Sequence, residues 1–340
     1  MMQALGVTRT LAVSSCKGGV GKSSVSLRLA LALQRLGMRV GLLDADVHGP
    51  SLPALLPPLP SVELAKEKLV NGRLRPLQAL GLECMSWGFL PRERTHYSGE
   101  ATVLRGHWAA RVAVQLALGT QWDAAGPLDV LVLDMPPGTG DVQLALLNSL
   151  SRSAAVVVST PSPLALPDVT KGVEMLTQAG VPLVAVVENF AWQESSLSKE
   201  DVCAALQQWR KDLPPDASAA AERLLDALER LPLPAARIRS GAPFGESSLA
   251  ELVELARACC PEAAGFQLPL TPEMAADGLA QRGGASEQVF EALALHVQGA
   301  LTGLPPAAGQ RAALATGDPR VVEFQSWRRF LHRIKHLHYA

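Results

Sequence analysis

The chain has 340 residues, 48% hydrophobic and 4% aromatic, and a formal net charge of −1. That is enough apolar material for one large α/β domain or two smaller ones. Balanced charge and scarce aromatics exclude a base-stacking nucleic-acid surface, so no nucleic acid is expected as a partner.

Five cysteines, Cys16, Cys84, Cys203, Cys259 and Cys260, are odd in number and irregularly spaced. That pattern points to a reducing compartment rather than a disulfide framework. The N-terminus lacks a charged region followed by an apolar one, and no apolar run reaches membrane-spanning length. A cytoplasmic location is expected, with plastid or mitochondrion as the alternative if the N-terminus is incomplete.

The apolar run Leu11 to Val13 predicts a buried strand. It runs into Cys16-Lys-Gly-Gly-Val-Gly-Lys-Ser23 and then a helix over Ser24 to Leu36. Strand, glycine-rich loop and helix in that order make a phosphate-binding loop. The backbone of Gly18, Gly19, Val20 and Gly21 approaches phosphate oxygens, with Lys22, Ser23 and Ser24 completing the cradle. Lys22 reaches the β- and γ-phosphates, Ser23 sits on Mg²⁺, and the helix aims its positive end at the same charge. A second strand, Arg39 to Leu43, ends at Asp44-Ala-Asp46. Residues 48–60 read as a proline-rich loop and 62–80 as weakly patterned surface. Leu82 to Trp87 is a strand, and residues 99–118 are a loop entering a helix.

Leu128 to Leu133 is a strongly apolar strand ending at Asp134, followed by the rigid loop Pro136-Pro-Gly-Thr-Gly-Asp141 and a helix to about Leu150. Strands over 154–159 and 183–187 flank a helix over 167–179. The alternation predicts an α/β fold with a doubly wound, mostly parallel sheet. Residues 192–240 change character and predict an inserted helical hairpin, with helices over 198–209 and 216–231. Helices over 249–258 and 287–301 and a short strand over 266–268 finish a domain spanning 1–301. A Gly/Pro/Ala linker covers 302–320, and 321–340 reads as a basic C-terminal helix.

Ligands of doubly wound sheets gather at the carboxyl ends of the strands. Asp46 is therefore expected to orient an attacking water and Asp44 to support the magnesium shell. A carboxylate ending an apolar strand needs a partner, and a magnesium-bound water is one, so Asp134 is the second metal-side carboxylate. Gly138, Thr139 and Gly140 form the loop that senses the γ-phosphate. Lys22, Lys17 and Mg²⁺ would act by positioning and charge neutralisation. Cys16 stands beside Lys17 near a helix N-terminus, a setting that favours thiolate. It reads as a reactive thiol or ligand, or as a turn residue close to phosphate, and the turn reading is preferred.

These segments, with Asp44-Ala-Asp-Val-His-Gly-Pro-Ser51, Leu104-Arg-Gly106, Asp134-Met-Pro-Pro-Gly-Thr-Gly-Asp141 and Val187-Glu-Asn189, resemble the Mrp/ApbC branch of MinD-like ATPases over about residues 8–300. Cys16 in the loop makes the chain most similar to the plastid high-chlorophyll-fluorescence type, without its flanking domains. The resemblance implies ATP binding, slow hydrolysis, a homodimer in which Lys17 reaches the partner's nucleotide, and contact of Asn189 with adenine. It also implies a bridging [4Fe–4S] cluster exchanged with iron–sulfur donor and recipient proteins.

The chain departs from the pattern at two points. Phe190-Ala-Trp-Gln-Glu-Ser lacks the Cys-x-x-Cys that most such carriers have there, and His107 stands where the family usually has proline. Iron–sulfur clusters need thiolates, and Cys16, Cys259 and Cys260 are the weak candidates. The rival expectation is a MinD-like spatial or regulatory switch without a cluster. It would use the tail, where Phe324, Trp327, Leu331 and Ile334 recur at helical spacing among arginines, to dock on an anionic membrane surface.

Overall fold

The computed structural model describes residues 6–57, 69–70, 73–90, 106–123, 126–149, 153–197, 199–211, 214–230, 236–240, 247–270 and 285–304. In chain order the first elements are β1 (Val7–Ser14), α1 (Lys22–Arg35), β2 (Val40–Asp44), α2 (Leu52–Leu55), β3 (Leu69–Val70), β4 (Arg73–Leu74), β5 (Leu77–Ala79) and β6 (Leu82–Ser86). They are followed by α3 (Gly106–Gly119), β7 (Leu128–Asp134), α4 (Asp141–Ser149), β8 (Ser153–Ser159), α5 (Leu166–Gln178) and β9 (Leu183–Leu197). The rest are α6 (Lys199–Arg210), α7 (Pro215–Arg230), β10 (Ala236–Ser240), α8 (Leu249–Cys259), β11 (Ala264–Leu270) and α9 (Ala285–Gly303).

Nine strands form one sheet in the order β10-β9-β8-β1-β7-β2-β6-β5, with β11 also pairing β9. All pairings are parallel except those of β5 with β6 and β10 with β9. Central strands are apolar on both sides, as a sheet covered on both faces requires. Ala12, Leu131, Leu133 and Val157 face a core shared with α3, α4, α5 and α8, while Leu11, Val13, Val130 and Val132 face α1 and α9. The tail residues 321–340, and the linker beyond Leu304, lie outside the described residues.

Two expectations need correction. Residues 73–79 are not weakly patterned surface: Leu74, Leu77 and Ala79 are buried, and β5 closes the sheet edge as a hairpin with β6. Its turn is Leu80-Gly81, both at positive φ (53° and 78°). The dihedral signs fit a two-residue hairpin turn, but a leucine in the first place hides the signal that Asn-Gly would give.

The insertion is also more than a helical pair. β9 runs on past Asn189, and its residues 193–197 pair antiparallel with β10, so a β-ribbon carries the α6–α7 hairpin. The two helices pack on each other, with Arg210 and Glu222 3.3 Å apart.

Candidate nucleotide site

The carboxyl ends of β1, β2 and β7 and the middle of β9 bring the expected residues to one edge. Gly19 and Gly21 take φ of 78° and 79°, a left-handed conformation that glycine adopts without strain. Gly21 is the N-cap of α1, so the helix starts two residues earlier than the sequence predicts. A side chain at Gly21 would also collide with Asn189. Lys17, Gly18 and Gly19 are exposed, while Ser23 and Ser24 are half-buried.

Lys22 and Asp134 are buried and paired, Nζ to Oδ1 at 2.5 Å. Two charges removed from water need each other and further hydrogen bonds. Ser26, one turn beyond Lys22, supplies one by donating to Asp134 Oδ1 at 3.0 Å. Lys22 Nζ also donates to Ser23 Oγ at 3.3 Å. The lysine, the hydroxyl and the carboxylate assigned to phosphate and magnesium are thus within reach of one another.

Asp44 lies beside Asp134 in strand register. Burial first, and then repulsion from Asp134, push its pKa up from 3.8 to about 6, against hydrogen bonds that pull it down. Those bonds come from Asp46 N (3.1 Å), Leu52 N (3.0 Å) and Ser86 Oγ (3.0 Å). Three of a carboxylate's roughly four acceptor positions are therefore spent on protein donors. In this arrangement Asp44 brackets the 46–52 loop and keeps about one acceptor position unspent. Asp46 is half-buried, and its Oδ1 accepts from His48 N (3.2 Å) and Gly49 N (3.0 Å), which fixes the side chain at the loop mouth.

Asn189 is fully buried against the phosphate loop. Its Nδ2 donates to Val20 O at 2.9 Å, and its Oδ1 has no partner among the described residues. A buried orphan acceptor beside a phosphate cradle is an attachment point for a donor on a ligand. Neighbouring Glu188 is structural, accepting from Ser247 Oγ (2.6 Å), Ser248 N (2.9 Å) and Gln267 Nε2 (2.8 Å).

The cysteine expectations are corrected. The Cys16 sulfur does not meet a helix N-terminus. It packs against α5 at Gly172, where an added Cβ would overlap it. Burial raises the thiol to about 11, Asp168 raises it further, and a backbone hydrogen bond at Gly172 and Lys171 oppose the shift. Cys16 is therefore a protonated packing residue. Cys259 is exposed and accepts from Thr177 Oγ1 at 3.2 Å, and Cys260 is half-buried beside the core. Both precede β11, whose first residue pairs Ala185 near the start of β9. At about 3.3 Å per residue, that level of the strand is roughly 13 Å from Asn189. Cys259 and Cys260 thus sit at the amino edge of the sheet, away from the nucleotide edge. Among the described residues no three or more His, Cys, Asp or Glu side chains group to hold a metal.

The sequence reading missed Ser26, Ser86 and Gln143. Ser26 carried a signal, a hydroxyl four residues after Lys22 and so on the same helix face. The other two reveal themselves only through tertiary contact.

Residues 6–241 match the family model described as NUBPL iron-transfer P-loop NTPase. The chain is 47% identical over 186 residues to an iron-sulfur cluster carrier protein of Haemophilus influenzae, covering 55% of this chain and 47% of that one. It is 46% identical over 184 residues to the chloroplastic Fe-S cluster assembly factor HCF101 of Arabidopsis thaliana, covering 54% and 32%. These matches span about half or less of the curated relatives' length. A solved nucleotide-binding protein of Archaeoglobus fulgidus in complex with ADP superimposes with a TM-score of 0.52 at 26% identity, covering 86% of this chain and 88% of that one. The chain belongs to the NUBPL iron-transfer P-loop NTPase family.

Proposed function

We propose that this family member is an ATP-dependent iron–sulfur cluster carrier that works as a nucleotide-driven homodimer. The observation that carries the nucleotide half is the buried Lys22–Asp134 pair with Ser26 at the mouth of the phosphate loop. Lys22 neutralises the Asp134 carboxylate. An incoming triphosphate offers Lys22 a stronger anionic partner, and Ser23 and Asp134 would then hold Mg²⁺. The metal's contribution is to neutralise charge on the phosphate oxygens. Lys17, exposed on the same loop, is available to a second copy, and Asp46 is held at the loop mouth where water would enter. The unpartnered Asn189 Oδ1 fits the exocyclic amine of adenine, a donor.

The cluster half is supported by the family and by the names of the relatives, which are an iron-sulfur cluster carrier and an Fe-S cluster assembly factor. The cargo would be a [4Fe–4S] cluster taken from donor proteins and passed to recipients. Anaerobic reconstitution with iron and sulfide tests this reading. The expected result is cluster absorption, bound iron, and transfer to an apo-acceptor that depends on ATP. Absence of bound iron would overturn the carrier reading and leave a cluster-free ATPase. The membrane-switch alternative rests on residues 321–340, outside the described residues. Among those described, no helix is long and apolar enough to cross a membrane.

A further inference from the structure

Gln143 lies in the first turn of α4 and is buried, with its side chain turned back over the 136–140 loop. Its Nε2 shares its two N–H donors among three successive carbonyls, Pro136 O (2.9 Å), Pro137 O (3.0 Å) and Gly138 O (2.9 Å). Its Oε1 accepts from Gly140 N at 2.9 Å. These partners fix which end of the amide is which: carbonyls need a donor and the N–H needs an acceptor.

Half of this is an ordinary helix cap. Gly140 precedes the first helical residue and Gln143 is the third, the place from which a Glu or Gln side chain reaches back to the N-cap amide. A cap needs only the acceptor oxygen, and Glu would serve it equally well with a favourable helix-dipole term. The grip on three carbonyls exceeds a cap and needs an amide.

The grip determines what the loop presents. Pro136 and Pro137 have no N–H. Gly138 N donates to Ser15 O at 2.9 Å, which ties the loop to the start of the phosphate loop, and Gly140 N is held by Gln143. Within residues 136–140, Thr139 N–H is the one backbone donor without a partner among the described residues, and Thr139 is exposed. The carbonyls, which would repel a phosphate, are drawn onto a buried side chain.

We propose that Gln143 is the positioning residue that sets the 136–140 loop to respond to a terminal phosphate, so that it governs discrimination between ATP and ADP. The inference rests on the ATPase reading above. Gln143→Glu is the discriminating variant, because it keeps the cap on Gly140 N and removes only the donors to the carbonyls. ADP and ATP affinities and single-turnover hydrolysis are measured for wild type and variant.

The expected result is ADP affinity within about threefold of wild type, a reduced preference for ATP, and hydrolysis slower by about 100-fold, the scale of a misplaced catalytic element. Relative to wild type, the variant recovers as pH falls through the pKa of the new carboxyl, which burial among carbonyls raises above the ordinary Glu value, because a protonated carboxyl donates again. A pure cap would show no such pH-dependent recovery. Hydrolysis and ATP preference unchanged within about threefold would overturn the inference while leaving the ATPase reading standing. Loss of ADP binding in the variant would also overturn it, by assigning Gln143 to general folding. A wild type that binds ADP but never cleaves ATP would overturn the ATPase reading and this inference together.

Discussion

The contact between Cys16 and Gly172 yields a double-mutant cycle. Gly172 lies within α5, where alanine in place of glycine ordinarily gains about 1 kcal/mol of helix propensity. Here the added Cβ would overlap the Cys16 sulfur, and overpacking of that kind costs roughly 1–3 kcal/mol. Gly172→Ala alone is therefore expected to lose about 1 kcal/mol net. Cys16→Ala alone removes one buried heavy atom and loses about 1 kcal/mol. In the double variant the new methyl fills the space the sulfur leaves and the propensity gain returns, so stability comes back to near wild type. The expected coupling is about 2 kcal/mol, read from urea midpoints at constant m-value. The thiol gives a second readout. With its pKa near 11, Cys16 should alkylate about 100-fold more slowly at pH 8 than an ordinary thiol, and faster once Gly172→Ala displaces it. Additive stabilities within about 0.5 kcal/mol, or rapid alkylation of the wild-type residue, would refute the packing argument.

Two more outcomes follow from the charged groups. Asp44 has its folded pKa raised from 3.8 to about 6, so its contribution to stability is fully present below 3.8 and is lost as pH rises through about 6. The stability of wild type relative to Asp44→Asn should fall by about 2 kcal/mol between pH 4 and pH 7, and a flat difference would contradict the burial argument. Lys22→Met leaves Asp134 buried without its cation and should cost about 3–5 kcal/mol in the nucleotide-free protein. Lys22→Met with Asp134→Leu should recover much of that loss in thermal unfolding without recovering nucleotide binding.

The parallel sheet was legible because its strands are apolar runs closed by an acid or a serine, and β1, β2, β7, β8 and the first half of β9 fall where such runs predict. The phosphate loop was legible because its chemistry is local, with glycines, a lysine and a serine consecutive in the chain. Contacts that pay no attention to chain order were not legible. Gln143 looks like any polar residue in a first helical turn until the loop folds under it. Ser86 looks like a strand end until Leu52 and Asp44 meet it. Cys16 misled for the same reason: the sequence placed it beside Lys17 and a helix start, and the fold turned its sulfur into Gly172, where burial outweighs the nearby cation.

The position of the thiols constrains how a cluster and a nucleotide would communicate. Cys16 lies at the nucleotide edge but is protonated and packed, while the exposed Cys259 lies at the opposite edge. The two are separated along α5, which meets Cys16 at Gly172 and Cys259 at Thr177. Five residues of helix span about 7.5 Å, so the two sulfurs of one copy meet α5 more than a turn apart. A cluster bound through Cys259 would sit away from the phosphates, so nucleotide state would have to reach it through the helix rather than by contact. A cluster bound through Cys16 would require the phosphate loop to release its sulfur from α5. Gly172→Ala, which evicts that sulfur, separates the two: it should raise cluster occupancy in the second case and leave it unchanged in the first.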